Sequence, residues 1–442
     1  MDACSLFQAN RFFADLRNIR HIFIQRVSAM DDKLLEKLAD EYGTPLYVYD
    51  GELIQNRFHR FQSAFSELDA KVCYAYKANS SLAICALLRE LGAGADCVSI
   101  GEVLTALKVG VNPRDVIYTS NSKTDEELSV ALAAGVNITH DNLDELEVMA
   151  GIARKKKKQA RVSFRVNPDI NPRTHPKIST GLKESKFGLH FEKDLAFNAY
   201  KKACKMDYIR VAGLHCHIGS QILDAGPFVE AAKKMMAFAF RLKKELGTTL
   251  DYIDFGGGLG IPYKKDKKLE PKELAKAIVP EIKKGLRNLG YQPAIVFEPG
   301  RYIVGEAGVL LTRVNSVKKT PYKKFVNVDA GFNTLLRPAM YEAYHEVKVV
   351  GKKDQQETYD IAGNICESGD ILAKNRKLPK IRKGDLIAIM HAGAYGMSMA
   401  STYNSRPLPA EVLMRGKKTD LIRERGIQED LHWKQKIPED LA

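Results

Sequence analysis

Between Lys71 and Phe297 the chain alternates short unbroken apolar runs with longer stretches in which apolar residues recur every three or four positions. Unbroken runs of this length read as strands covered on both faces, and the longer rhythm as helices with one covered side. The runs predict strands at Lys71–Tyr76, Ala95–Val98, Val116–Thr119, Asn137–His140, Arg161–Val166, Val211–Cys216, Tyr252–Phe255 and Ala294–Phe297. Helical spacing lies between successive strands, at Ser81–Leu91, Gly101–Lys108, Asp125–Ala134, Leu143–Ala153, Asp194–Lys205, Phe228–Leu246 and Pro271–Leu289. Eight such repeats over roughly 230 residues have the size of a (β/α)8 TIM-type barrel. An open doubly wound sheet is the alternative, and the absence of a GxGxxG after the first strand removes the usual reason to prefer it. Upstream, Leu34, Leu35, Leu38 and Ala39 mark an amphipathic helix, and Thr44 to Asp50 a strand.

Beyond about Gly305 the runs shorten and turn residues separate them: Gly308–Asn315, Lys324–Val328, Glu346–Val349, Thr358–Ala362, Asp385–Met390 and Ala410–Leu413. That is the pattern of a C-terminal β-rich domain, a sandwich or small barrel. The expected organisation is a mobile extension over 1–29, a helix and strand over 30–50 that pack on the β domain, a barrel over 51–304 and the β domain over 305–442.

Composition narrows the picture little. The 442 residues are 45% hydrophobic and 28% charged, as in ordinary globular proteins, and no apolar run approaches the roughly 20 residues that span a bilayer. Seven cysteines (4, 73, 85, 97, 204, 216 and 366) form no CxxC pair, which predicts reduced thiols in a cytoplasmic setting. The net charge of +14 comes from scattered residues and short runs such as Arg154–Lys158 and Lys264–Lys268, without interleaved aromatics. These are solvated faces and not a nucleic-acid interface; the charge favours anionic small molecules. Residues 1–29 hold four arginines, no lysine and only Asp2 and Asp15 as acids, so they read as a dispensable extension or an organellar import segment. The tail from Met414 to Ala442 is charged and carries no motif.

The barrel pattern predicts chemistry just beyond the strand ends, on the face of the βα loops. Lys77 follows the first strand, Asp96 lies in the second, Arg165 ends the fifth, His217 ends the sixth, Gly256-Gly257-Gly258 the seventh and Glu298 the eighth. The long loop Asn167 to Gly188 is placed to cover that face. Each residue has a plain alternative: an ordinary surface lysine, a core histidine, a tight turn at the glycines, a local ion pair in Glu298-Pro299-Gly300-Arg301. A metal at His217 lacks a third ligand at suitable spacing. A lysine in a partly desolvated cleft is expected to lose some of its preference for the charged form, which frees its amine for an aldehyde. Together, an amine, an anion-binding glycine loop, a buried carboxylate and a flat ring fit pyridoxal 5′-phosphate.

The segments YAYKAN, RVNP, STGLKESKFGLH, GLHCHIGSQI, DFGGGLGIPY, EPGRY, VDAGFNTLLRPAMYEAYHEV, CESGD and GAYGMSMASTYNSRPLPAEVL carry this further. The chain resembles the diaminopimelate decarboxylases, in the fold-type III family of pyridoxal-phosphate-dependent decarboxylases, from about Thr44 to Leu413. The resemblance implies an alanine-racemase-like barrel joined to a β domain, and homodimers whose active sites take residues from both subunits. It implies that Lys77 binds the cofactor's aldehyde, His217 stacks on its ring and Glu298 pairs with its ring nitrogen. Ser220, Gly256, Gly257, Gly258, Gly300 and Arg301 hold its phosphate, with Asp96, Arg165, Pro299 and Tyr395 completing the cofactor site. Cys366 from the partner is the general acid; Arg301, Arg337 and Tyr341 bind the substrate's distal carboxylate, Glu367 its distal ammonium, and Tyr395 touches both the phosphate and the substrate. Asn364 stands where the family commonly has proline and Lys177 where the covering loop often has an aromatic; neither removes a catalytic group.

Three rivals remain open at this point. A decarboxylase of ornithine, arginine or a carboxylated polyamine shares the chemistry, but a distal amine leaves buried arginines unpaired. A non-catalytic cofactor carrier needs Lys77 but not Cys366. An alanine-racemase-like enzyme shares the barrel, yet a glutamate at the ring nitrogen favours full carbanion stabilisation.

Overall fold

The computed structural model describes residues 30–172, 180–181, 184–264, 268–353 and 356–441. Among them, eight parallel strands close into a barrel: β2 (Lys71–Ala75), β3 (Gly94–Cys97), β4 (Val116–Thr119), β5 (Asn137–His140), β6 (Ala160–Asn167), β8 (Ile209–Cys216), β9 (Tyr252–Asp254) and β10 (Ala294–Phe297). Closure is made by β10 on β2, where Val296 pairs with Lys71 and Phe297 with Val72. A two-residue strand, β7 (Leu189–His190), lies outside β6. The expected strands all form, with ends moved by at most two residues. Their Val, Ile, Ala and Phe side chains fill both faces, as a closed parallel sheet under helices requires.

The covering helices are α3 (Leu82–Glu90), α4 (Ile100–Lys108), α5 (Asp125–Ala134), α6 (Leu143–Lys156), α7 (Leu195–Ala203), α8 (Gly226–Leu246) and α9 (Pro271–Leu289). Local chemistry sets their ends. Thr124 and Glu127 make a capping box for α5, Pro271 opens α9, and Gly247 and Gly290 end α8 and α9 in the left-handed region. The helix that precedes β2 had no counterpart in the periodicity reading. It is α2 (Gly51–Ala64), capped by Asp50 Oδ1, which accepts from Leu53 N–H at 3.0 Å, and it buries Ile54, Phe58 and Phe61. Its cap is also the last residue of the preceding strand, which hides the helix start in the sequence pattern.

That strand, β1 (Leu46–Asp50), follows α1 (Asp32–Tyr42) and belongs to the second sheet. It runs antiparallel to β11 (Gly308–Lys319) and parallel to β17 (Ala410–Arg415). The sheet continues through β12 (Lys324–Val328), β14 (Gln356–Ala362) and β15 (Ile371–Pro379) on one side and β18 (Lys418–Arg423) on the other; β16 (Leu386–Ile389) joins β11, and β13 (Val347–Val349) joins β16. β15 and β18 were not expected. Both are edge strands with polar runs, and β15 contains Asn375 at φ 53, so neither shows an apolar run or a clean alternation. Two short helices complete the frame of the site, α10 (Arg301–Val304) and α11 (Arg337–Tyr341).

Candidate active site at the mouth of the barrel

Lys77 lies in a single 3-10 turn, Tyr76–Ala78, directly after β2, and its ammonium pairs with Asp96 at the end of β3. The second sheet's loop grips this turn. Tyr395 N–H and Ser398 Oγ donate to the Ala78 carbonyl at 2.8 and 3.2 Å, and Asn79 Nδ2 donates to the Gly393 carbonyl at 3.2 Å. So close an approach needs a glycine, because a Cβ at Gly393 would lie 1.9 Å from the Val304 carbonyl oxygen. The expectation that desolvation frees the Lys77 amine is corrected here. Burial does press its pKa down, but Asp96 and Glu298 outweigh burial and hold it above the usual lysine range.

Glu298, one residue past β10, is buried beside a histidine that sequence reading did not single out. His215 Nε2 lies 3.4 Å from the Glu298 carboxylate, and Asp254, its register partner across β8 and β9, brings a second carboxyl to the same point. The three offer atoms within 4.8 Å of one another. Burial and the Glu298 charge push Asp254 well above the usual carboxyl range. Against the upward push of burial, His215 and Lys77 hold Glu298 down to about 2. The proton of the pair therefore stays on Asp254 and the negative charge on Glu298. The available signal was two polar residues at the ends of otherwise apolar strands.

His217 accepts a hydrogen bond at Nδ1 from Gly257 N–H at 3.2 Å. Burial, with Arg165 and Lys77, keeps its ring well below the usual pKa and so neutral. The glycine loop leaves no room for side chains: a Cβ at Gly257 would sit 2.1 Å from the Glu298 carbonyl oxygen, and one at Gly256, at φ +67, 2.4 Å from the Cys216 carbonyl. Arg165 donates to the His217 carbonyl at 3.4 Å and stacks on Phe187. Pro299 accepts from Ala75 N–H at 3.3 Å, which ties the start of the Glu298–Arg301 turn to β2. The covering loop is tied at the described residues, with Thr180 Oγ1 donating to the His217 carbonyl at 2.9 Å and Gly188 N–H to Asp141 at 3.1 Å. Lys177 and residues 1–29 lie outside the described residues.

Beside this cluster two arginines are buried together. Arg301 donates to Ser220 Oγ at 3.1 Å and to Tyr263 Oη at 2.8 Å, and its guanidinium stands 4.8 Å from the Tyr395 ring centre. Arg337 lies 4.5 Å from the Tyr263 ring centre. Neither forms an ion pair with a carboxylate among the described residues. Tyr341, at the end of α11, is near enough to bear on the Arg301 charge. Lys77, Asp96, Arg165, His217, Ser220, Gly256–Gly258, Glu298–Arg301, Arg337, Tyr341 and Tyr395 are thus gathered at one mouth. Cys366 and Glu367 are not. They are exposed on the second sheet's loops, where Cys366 N–H donates to Asn404 Oδ1 at 2.8 Å and Glu367 accepts from Tyr403 Oη at 2.6 Å. Asn364, two residues earlier, donates to the Asp329 carbonyl at 2.5 Å.

Comparison with known proteins agrees with this fold. The sequence profile of the pyridoxal-dependent decarboxylase pyridoxal-binding domain matches residues 52–305. A diaminopimelate decarboxylase of Archaeoglobus fulgidus is 48% identical over 405 residues, covering 91% of this chain and 95% of that protein. The crystal structure of the Methanocaldococcus jannaschii diaminopimelate decarboxylase with L-lysine superposes with a TM-score of 0.88 at 44% identity, over 92% of this chain and 95% of that one. The Helicobacter pylori enzyme, also complexed with L-lysine, gives 0.85 at 40% identity, over 90% and 98%. Identity of this size along nine-tenths of the chain, laid over the same two-sheet fold, shows that the chain belongs to the diaminopimelate decarboxylases, a family of pyridoxal-dependent decarboxylases.

Proposed function

We propose that this enzyme decarboxylates meso-2,6-diaminopimelate to L-lysine and carbon dioxide, the last step of lysine synthesis. The observation that carries the substrate is the pair of buried arginines, Arg301 and Arg337, without a carboxylate partner among the described residues. Two desolvated cations demand an anion, and a guanidinium fork matches a carboxylate. A substrate ending in a bare amine would leave both unpaired.

The site fits pyridoxal 5′-phosphate on its own features. Asp96 Oδ1 and Glu298 Oε1 are buried without a hydrogen-bond partner, and the Gly256–Gly258 loop is a backbone cradle that a Cβ would fill. Bound there, the cofactor supplies an electron sink for the carbanion left when carbon dioxide departs. Lys77 tethers it, with Asp96 aiming the amine. Glu298 is ionised and so stabilises a proton on the ring nitrogen, while Asp254 and His215 keep that charge in place. His217, being neutral, offers a flat face without adding a second positive charge. Ser220, the glycine loop and the backbone of Gly300 and Arg301 bind the phosphate, assisted by Arg165, Pro299 and Tyr395.

Arg301, Arg337 and Tyr341 take the distal carboxylate. Cys366 and Glu367 act from a partner subunit of a homodimer: the thiol of Cys366 delivers the proton to the carbon that lost carbon dioxide, and Glu367 binds the distal ammonium. Their exposure on this chain, away from Lys77, supports that division. The free thiols of the six described cysteines support a reducing, cytoplasmic setting.

Carbon dioxide release from meso-diaminopimelate, with L-ornithine and L-arginine alongside, tests the reading. Release from diaminopimelate alone, with a visible cofactor band that vanishes in Lys77→Ala, is expected. Release from ornithine or arginine instead would keep the chemistry and overturn the role given to Arg337 and Glu367.

A further inference from the structure

Arg337 is buried and carries a charge, yet its guanidinium has to be held in place by something. A carboxylate would hold it and also neutralise it. The structure uses a different acceptor. Arg337 Nη1 lies 2.9 Å from Nε2 of His345, whose Nδ1 lies 2.9 Å from the carbonyl oxygen of Met390. A carbonyl only accepts, so Nδ1 carries the ring proton and Nε2 presents a lone pair to the guanidinium. His345 is itself wholly buried. Its ring meets Tyr263 edge-on at 5.4 Å between centres, and its own carbonyl accepts from Arg376 Nη2 at 3.1 Å. Tyr263 in turn takes Arg337 on its face and accepts from Arg301 at its hydroxyl.

We propose that His345 is a positioning residue for substrate choice: a neutral acceptor that fixes the Arg337 fork while leaving its positive charge uncommitted, so that an incoming carboxylate becomes its counter-ion. Tyr263 serves the same end between the two arginines. Burial, the nearby Arg337 charge and His391 hold the His345 pKa down to about 3, so the ring stays neutral throughout the working range despite the Met390 hydrogen bond. The inference rests on Arg337 being the carboxylate anchor.

The experiment compares His345→Gln, His345→Leu and His345→Glu in the cofactor-loaded enzyme, with Arg337→Ala beside them. The readouts are KM and kcat for meso-diaminopimelate and the inhibition constants of L-lysine, which keeps a carboxylate next to an amine, and of cadaverine, which has no carboxylate. Gln keeps a neutral acceptor near the Nε2 position and is expected to stay within about threefold of the wild-type KM, whereas Leu raises KM and the lysine constant by about tenfold or more, the effect of one lost charge-assisted hydrogen bond. Glu, which brings a competing counter-ion, is expected to weaken lysine at least as much as Leu does. Cadaverine inhibition stays level in all three and kcat falls less than KM rises.

The proposal is overturned if the Leu variant binds lysine as the wild type does, or loses lysine and cadaverine alike. Should Leu fail to fold, Glu against Gln decides: equal lysine constants in that pair overturn it. If Arg337→Ala leaves the lysine constant unchanged, the carboxylate anchor itself fails, which is a result distinct from any obtained at His345.

Discussion

Lys77 shows how one residue's charge state follows from neighbours that a sequence does not place. Because Asp96 and Glu298 hold its pKa above the usual range, the amine is protonated at neutral pH, and the free form grows as pH rises. Uptake of pyridoxal phosphate by protein stripped of cofactor is therefore expected to quicken about tenfold per pH unit from 7 to 9, measured by the growth of the visible band. Asp96→Asn removes the direct counter-charge and shifts that curve to lower pH; uptake that ignores pH would contradict the balance. The glycine loop makes a steric prediction. Gly257→Ala forces a methyl into the Glu298 carbonyl and is expected to weaken cofactor binding about tenfold, the effect of 1–2 kcal/mol of overpacking. Gly151→Ala, on the open face of α6 with nothing within 4 Å, leaves affinity unchanged and adds about 0.5–1 kcal/mol of helix stability in denaturant melts. Lys77, His217, the glycines and Glu298 were legible because each stands at the end of an apolar run. His215, Asp254, Tyr263 and His345 were not, because their roles depend on register across strands and on contacts between the two sheets.

At the scale of elements, the barrel strands were legible within two residues because burial on both faces gives unbroken apolar runs. Elements half covered, or beginning on a residue that also ends a strand, gave a weaker pattern. α2 is capped by Asp50, the last residue of β1, and β15 and β18 expose polar faces at a sheet edge. The loop from Gly393 to Ser398 is the element that couples the second sheet to the catalytic lysine, through hydrogen bonds to the Lys77 turn that no periodicity reveals. Gly393→Ala would press this loop off the Val304 carbonyl. The expected result is a loss of about 1–3 kcal/mol in denaturant unfolding, with activity falling more steeply than folded fraction. Intact activity in a folded variant would show that the loop's grip on the Lys77 turn is dispensable.

For the whole molecule, the proposed dimer makes a sharp demand. Lys77→Ala and Cys366→Ala lesions fall in different halves of each site, so a mixed dimer holds one site with both lesions and one with none. Equal mixing with full exchange is expected to restore about a quarter of wild-type activity, since half the dimers are mixed and each carries one good site of two. Absence of recovery, with exchange confirmed by mass, would sink the shared-site arrangement. The placement of β1 bears on how such a molecule is made. Tyr47 pairs with Leu310 and Leu46 with Ala410, so the central strand of the second sheet leaves the ribosome before the barrel, and its two partners emerge only after it. At roughly 5–20 residues per second that is a wait of tens of seconds, long enough for the barrel to close around local βα contacts first. A chain stalled before Ala410 would carry a finished barrel and a β1 still open on one edge, which makes that edge the natural point for chaperone capture and for premature pairing with another nascent copy.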